Sequence, residues 1–478
     1  MSDSASIESR HQDCLAKLRT RGQEHVLRWW DDLGPAEREH LLAEIESIPW
    51  EILDGLIRSH VLIRPDHAVP RDLSPPTVYK QPPAPEQRAL YDEAARLGRD
   101  LIRTGKVAAL TVAGGQGTRL GFDGPKGALV VTPVGGKTLF ELFAETIKAA
   151  RHRYDSPIPW YIMTSPANHE QTVEYLKSRD FFGLPETEVI LFRQGMLPAF
   201  DFQGRLLLAE RHRLALTPDG HGGSLKALVA SGALSDMRKR GIEIITYFQV
   251  DNPLVKPFDP LFIGLHAKTG SEMSTKVTAK ADDLERVGNV CVHNGKVVVI
   301  EYSDFPDELA HARNQDGSRK FNAGNLAIHL LSVDFVDRVV ARSFQMPFRR
   351  ADKAVACVDE VGSLTKPTAP NAVKLEAFIF DALPLAANPL LLEVDRAEEF
   401  SPVKNATGVD SLESSKRDQI TRACCWLESA GVTVPRKPDG RPDVIVTISP
   451  SFALDAEDVR ARRDRLPTLR PGDSVCIE

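Results

Sequence analysis

Between residues 107 and 252 short apolar runs alternate with helix-patterned stretches, and this alternation constrains the fold more than any other feature. "VAALTVA" (107–113), "IPWYIMTS" (158–165), "EVILFRQG" (188–195) and "IEIITYFQVDN" (242–252) have the length and β-branched or aromatic content of buried strands. Between them lie "TLFELFAETIKAA", "NHEQTVEYLKS" and "SLKALVASGALSDMRKR", each reading as one helix. Thr138 and Glu141 are spaced as a capping box at the start of the first helix. Strand–helix alternation of this kind predicts an α/β fold, a Rossmann-like, mostly parallel sheet with helices on both faces. In such sheets ligands bind beyond the carboxyl ends of the strands. The loop after 107–113 and the pair Asp251-Asn252 are therefore expected on one edge.

The flanking regions read differently. Residues 11–63 carry apolar residues at three- and four-residue spacing, with Leu41, Leu42, Ile45 and Ile48 on one helix face and Pro35 placed to open a helix after Gly34. Residues 64–87 hold seven prolines and read as an extended linker. Near the other end, "RDQITRACCWLESAGV" reads as a helix, and residues 435–478 as a small β unit. The expected division is an N-terminal helical region with linker (1–95), a central domain (96–400) and a C-terminal region (401–478).

A net charge of -6 argues against a nucleic-acid binder. No apolar run is long enough for a membrane span, and the polar N-terminus lacks a signal-peptide core. The six cysteines form no CxxC pair. Together these point to the cytoplasm.

The loop after the first strand, "AGGQGTRLGFDGPKG", is built to approach an anion. Its backbone N–H groups suit an anion nest, and Arg119 and Lys126 supply positive charge. The same residues also suit a plain turn with two solvated cations. Two common phosphate signatures fail on spacing. Gly136-Lys137-Thr138 has Val131 where the Walker pattern needs glycine, and Gly115-x-Gly117 meets Leu120 where the dinucleotide fingerprint needs its third glycine.

What remains, "AGGQGTRLG" followed by "PKG", resembles the signature of the sugar-1-phosphate nucleotidyltransferases, in particular the eukaryotic-type UDP-N-acetylhexosamine pyrophosphorylases, whose fold is glycosyltransferase-A-like. "GQEHVLRWWDDL", "WYIMTS", "QGMLPAFD", "TPDGHGG", "VDNPLVK", "EYSD", "FNAGNLAIH", "NAVKLEAFIFD" and "EFSPVKNA" follow the family's order, over roughly residues 20–430. The resemblance implies a uridylyltransferase that joins UTP and a sugar 1-phosphate into a UDP-sugar and pyrophosphate. It implies nucleotide contacts at Val112, Ala113, Gly114, Gly115, Gln194, Gly220 and Lys374. Arg119, Lys126 and Lys404 match the catalytic cations. His221, Glu301, Tyr302, Asn322, Gly324 and Asn325 match the sugar-binding positions. Asp251 would hold Mg²⁺, which favours oxygen ligands.

One departure stands out: His221 occupies a place where the family commonly has asparagine. N-acetylglucosamine 1-phosphate is the expected substrate, while glucose or galactose 1-phosphate stay open. A non-catalytic nucleotide-binding protein and a Rossmann oxidoreductase are the readings from other classes; the failed dinucleotide spacing opposes the second.

Overall fold

The computed structural model describes residues 6–64, 70, 72–341 and 346–478. The chain divides into two compact units. A sheet unit comprises Val69–Gln194, Leu225–Phe344 and Ala382–Glu478, and an N-terminal unit comprises Met1–Ala68, Gly195–Ser224 and Gln345–Asp381. This grouping is by contact in space, whereas the three spans expected from the sequence are consecutive.

The sheet unit is built on nine strands: β1 (Val107–Val112), β2 (Trp160–Thr164), β3 (Val189–Arg193), β4 (Ile244–Gln249), β5 (Met273–Ala279), β6 (Asn289–His293), β7 (Lys296–Ile300), β8 (Ala323–Ser332) and β9 (Leu390–Glu393). Their order is β7-β6-β8-β4-β1-β2-β3, with β5 pairing both β8 and β9. The four strands read from the sequence form its parallel part, β4-β1-β2-β3. Val112 is level with Met163 and Gln249, so the segments leaving β1, β2 and β4 emerge on one edge. β8 runs antiparallel to β4, which brings the first residues of β8 to that same edge.

Helices cover the sheet as the alternation requires. The helix Leu139–Tyr154 buries Leu139, Phe140, Phe143 and Ile147, and the Thr138 side chain caps it by accepting from the Glu141 N–H. The stretch expected as one helix from Ser224 is two, Ser224–Ala230 and Ala233–Lys239. The break falls at Gly232, whose φ of 79° is left-handed and incompatible with a continuing helix. The C-terminal helix is longer than its apolar pattern, Leu412–Ser429, because Ser411 and Ser414 cap each other at its start. Beyond it, the strands Ile445–Ile448 and Ser474–Ile477 pair in parallel over an apolar cluster that includes Leu427, Val446 and Phe452.

In the N-terminal unit, Leu41, Leu42, Ile45 and Ile48 are buried, and Pro35 opens its helix as expected. Gln23 and His25 bond the backbone at Gly204 and Leu206, and Arg350 donates to the carbonyls of His60 and Val61. Part of the linker, 65–69 and 71, lies outside the described residues. No helix among the described residues is long and apolar enough to cross a membrane.

Candidate active site

The glycine loop leaves β1 at Val112 and is held down on both sides. The Ala113 N–H donates to the Met163 carbonyl at 2.7 Å, extending the β1–β2 pairing by one residue. Further on, the Gly117 N–H donates to Gly124 O (3.0 Å) and the Lys126 N–H to Gly115 O (3.2 Å), closing the loop on itself. Of its glycines, Gly121 and Gly124 have positive φ, but Gly114, Gly115 and Gly117 do not. At Gly114 the need is space: a Cβ there would run into Oε1 of Gln194. Gln194 directly follows β3, is 9% exposed, and is fixed by its own N–H to Thr164 O at 2.8 Å.

Asn168 is the loop's main fastener, a role its place before a helix does not announce. Its Nδ2 donates to Ala113 O (2.8 Å) and Gly115 O (3.2 Å). Its Oδ1 accepts from the Ser165 N–H (2.9 Å) and hydroxyl (3.0 Å). Carbonyls only accept and a backbone N–H only donates, so this pattern fixes the orientation of the amide. Asn168 is fully buried.

Across the edge, Lys126 Nζ lies 3.4 Å from Asp251 Oδ2, and both side chains are mostly shielded from solvent. Asp251 follows β4 and is tied to a later segment, since the Val403 N–H donates to Asp251 O at 2.9 Å. The backbone at Lys404, the next residue, therefore follows directly on the segment tied to Asp251. Its backbone N–H donates to Asp410 O at 2.6 Å, while its exposed ammonium sits 5.6 Å from the Phe400 ring. Burial lifts the Asp410 carboxyl above the usual range; Lys404 opposes the shift and Asp251 reinforces it. Asn252 locks the same two segments: its Nδ2 donates to Glu399 O (2.7 Å) and its Oδ1 accepts from the Ser401 N–H (3.1 Å). Arg119 is exposed on the loop and pairs with no described residue.

A buried ion cluster stands behind this edge. Lys276, with no exposed surface, bonds Asp259 at 2.8 Å and Glu399 at 2.7 Å. Burial works against the Lys276 ammonium, but the two carboxylates outweigh it and raise its pKa. Burial likewise raises the Glu399 carboxyl, whereas at Asp259 Lys276 overcomes burial and the pKa falls.

The residues expected at a sugar form a second group on the sheet unit. The Asn325 N–H donates to Gly288 O at 2.9 Å, and a Cβ on Gly288 would lie 3.5 Å from Glu301 Oε1 and 3.8 Å from Asn325. Glu301, Asn325 and its neighbour Gly324 thus converge where β7 ends and β8 begins. Asn322 accepts from the Lys280 N–H at 3.1 Å, and Tyr302 is exposed. Asn325 Oδ1 also accepts from the N–H of Ala327, whose φ of 55° marks a bulge within β8.

Gly220, His221 and Lys374 belong to the N-terminal unit. Gly220 has a φ of 84°, and a Cβ there would strike the backbone of Ala377. The His221 ring stacks on Phe378 with centroids 5.1 Å apart, and its Nδ1 accepts from the Ile379 N–H at 3.2 Å. Lys374 is half-buried on the strand Ala372–Ala377, opposite Ala351. Among the described residues no group of three or more His, Cys, Asp or Glu could hold a metal ion alone.

A parallel core with a glycine loop and facing charges at its carboxyl edge belongs to the nucleotidyltransferase class of enzymes. The family model described as UTP–glucose-1-phosphate uridylyltransferase matches residues 79–469. The chain belongs to this family, and the match runs past residue 430 into the C-terminal region, further than the sequence motifs reach. It is 38% identical over 479 residues to human UDP-N-acetylhexosamine pyrophosphorylase-like protein 1, covering 93% of each chain. It is 36% identical over 459 residues to the UDP-N-acetylglucosamine pyrophosphorylase of Saccharomyces cerevisiae, covering 92% of this chain and 94% of that one. The fold is similar to the uridine diphosphate N-acetylglucosamine pyrophosphorylase of Trypanosoma brucei, solved with an inhibitor, with a TM-score of 0.83, 25% identity, and 100% and 99% of the two chains covered.

Proposed function

We propose that this protein transfers a uridylyl group from UTP to N-acetylglucosamine 1-phosphate, giving UDP-N-acetylglucosamine and pyrophosphate. The reading rests on the Lys126–Asp251 pair at the edge where the glycine loop opens, with the backbone before Lys404 tied to Asp251 through Val403. A phosphate oxygen of the sugar phosphate attacks the α-phosphorus of UTP. The bond from that phosphorus to the oxygen bridging the β-phosphorus breaks, and pyrophosphate leaves with the electron pair. Positioning and charge neutralisation supply the catalysis, with no protein nucleophile.

Each group has a part in this reading. The Val112–Gly115 backbone and the Gln194 amide, which both donates and accepts, face the uracil. Arg119, Lys126 and Lys404 neutralise phosphate oxygens, the arginine as a fork and the lysines as point charges. Glu301, Tyr302, Asn322, Gly324 and Asn325 meet the sugar hydroxyls and N-acetyl group, and His221 bears on sugar choice.

One carboxylate, Asp251, fits Mg²⁺, which binds through one or two carboxylates and the substrate phosphates and keeps several waters. When bound, Mg²⁺ supplies charge neutralisation at the α-phosphate. All six cysteines are free, in keeping with a reducing cytoplasm. The relatives' names favour the N-acetylated sugar. His221 keeps glucose 1-phosphate as the second reading.

The test is pyrophosphate release from UTP with a panel of sugar 1-phosphates, with and without Mg²⁺. Turnover should require the metal and be fastest with N-acetylglucosamine 1-phosphate. No turnover with any sugar would overturn the enzymatic reading, and preference for glucose 1-phosphate would overturn the choice of sugar.

A further inference from the structure

A cavity of about 250 Å³ lies within the sheet unit, between the loop Pro253–Pro260, the helix Leu412–Ser429 and the C-terminal strand Ile445–Ile448. Leu142, Val255, Phe258 and Leu454 supply apolar wall. None of the residues assigned to nucleotide, sugar or metal lines it.

Its charged residues are paired, with one exception. Lys256 pairs with Glu398 at 2.7 Å, Arg153 with Asp455 at 2.9 Å, and Asp259 and Glu399 share Lys276. Arg422 has no carboxylate partner among the described residues. Its Nη1 donates to the carbonyls of Leu254 (3.2 Å) and Glu398 (3.1 Å), and the guanidinium lies over the Trp426 ring at 4.9 Å. Its Nε and Nη2 bond no described residue. Burial depresses the guanidinium pKa to about 10, with Glu398 and Glu399 opposing from a distance. Arg422 is half-buried, and two of its donor nitrogens bond no described protein group on the wall of a cavity lined by both polar and apolar residues.

We propose that this cavity binds a small aromatic carboxylate, its ring against the apolar wall and its carboxylate accepting from Arg422. The volume lies below that of pockets for drug-sized ligands, which limits the occupant to one or two fused rings. Guanidinium and carboxylate match in planar fork geometry, and the patch formed by Leu142, Val255, Phe258 and Leu454 gives a ring an apolar surface that a hydrated phosphate would not use. The occupant would rest on the loop that begins at Asp251 and Asn252.

The probes are 2-naphthoate and its neutral counterpart 2-naphthalenemethanol, added to the full chain without substrates. Thermal shift and calorimetry should show saturable binding of 2-naphthoate, at least tenfold tighter than the alcohol. Arg422→Met should abolish that preference and Arg422→Lys should keep part of it. Ala453→Leu, which adds bulk to the cavity lining and leaves Arg422 in place, should weaken both probes if it folds with an unchanged melting temperature. Absence of saturable binding to the wild type would overturn the proposal. So would equal affinity for the two probes, or displacement of 2-naphthoate by UTP, which would place it at the nucleotide site. Because binding is read without turnover, its failure is separate from failure of the proposed reaction.

Discussion

Replacing Asn168 by aspartate isolates the fastening of the glycine loop, because the side chain keeps its shape and loses only its donor. In the wild type Nδ2 serves two carbonyls, Ala113 O and Gly115 O. Each lost bond costs about 1 kcal/mol net, and a buried carboxylate facing two carbonyls adds a penalty of similar size. Position 168 is also the N-cap of the helix His169–Ser178, where a negative charge gains about 0.5 kcal/mol. The carbonyl term is the larger, so Asn168→Asp should lose roughly 2–3 kcal/mol at pH 8. The introduced carboxyl titrates above its unfolded value of about 3.9. Its folded state therefore binds more protons, and the deficit grows as pH rises from that value through the raised one. At low pH the protonated group donates one bond, which should recover about 1 kcal/mol. Urea unfolding at pH 5.5 and pH 8, with KM for UTP at both, measures this. A variant as stable as wild type at pH 8, or less stable at pH 5.5 than at pH 8 relative to wild type, would show that Asn168 acts as a helix cap and does not hold the loop.

Lys126→Ala and Asp251→Asn should each lower kcat by about 10²–10³ with little change in melting temperature, and only Asp251→Asn should raise the Mg²⁺ concentration needed for half activity. His221→Asn should shift the ratio of catalytic efficiencies toward N-acetylglucosamine 1-phosphate. It should retain the bond from Ile379 through the asparagine oxygen and lose about 1 kcal/mol of ring stacking; an unchanged ratio in a sugar panel would remove His221 from specificity. Lys276→Met should destabilise by about 3–5 kcal/mol, since two buried carboxylates lose their cation. Without that cation burial raises both carboxyls above their unfolded values, so the loss should be greatest at neutral pH and shrink as pH falls toward about 4, seen by denaturation across that range.

The parallel strands β1–β4 were legible because each is a short apolar run with a helix pattern after it, and that alternation is a local signal. The placement of Asp251 beside the glycine loop follows from it. The rest depends on contacts between distant residues. Asn168 looks like any helix cap, and its bonds to Ala113 and Gly115 cross more than fifty residues. Lys276 sits among Ser274, Thr275 and Thr278 in its strand, and nothing in that local pattern announces Asp259 and Glu399 around it. Two glycines of the loop, Gly121 and Gly124, have positive φ; at Gly114 the reason is the Gln194 side chain, which no local pattern carries. Beyond β4 the regular strand–helix alternation does not run on: β6 and β7 form a hairpin, and β5 pairs β9 in parallel and β8 antiparallel, so the signal that marks β1–β4 is absent from β5–β9 as a set.

The N-terminal unit is assembled from three separate stretches, which has a consequence during synthesis. Gln23 waits for Gly204, 181 residues later, and Val61 for Arg350, 289 residues later. At translation rates of about 5–20 residues per second, the first gap alone lasts on the order of 10–35 s. For that interval the helices of residues 7–61 have only one another, and the surfaces that later meet Gly204, Leu206 and Arg350 stay uncovered. They are the part of the nascent chain most exposed to chaperones and to aggregation. A ribosome stalled before residue 345 would present those helices with Gly195–Ser224 but without Gln345–Asp381, even with much of the sheet already made.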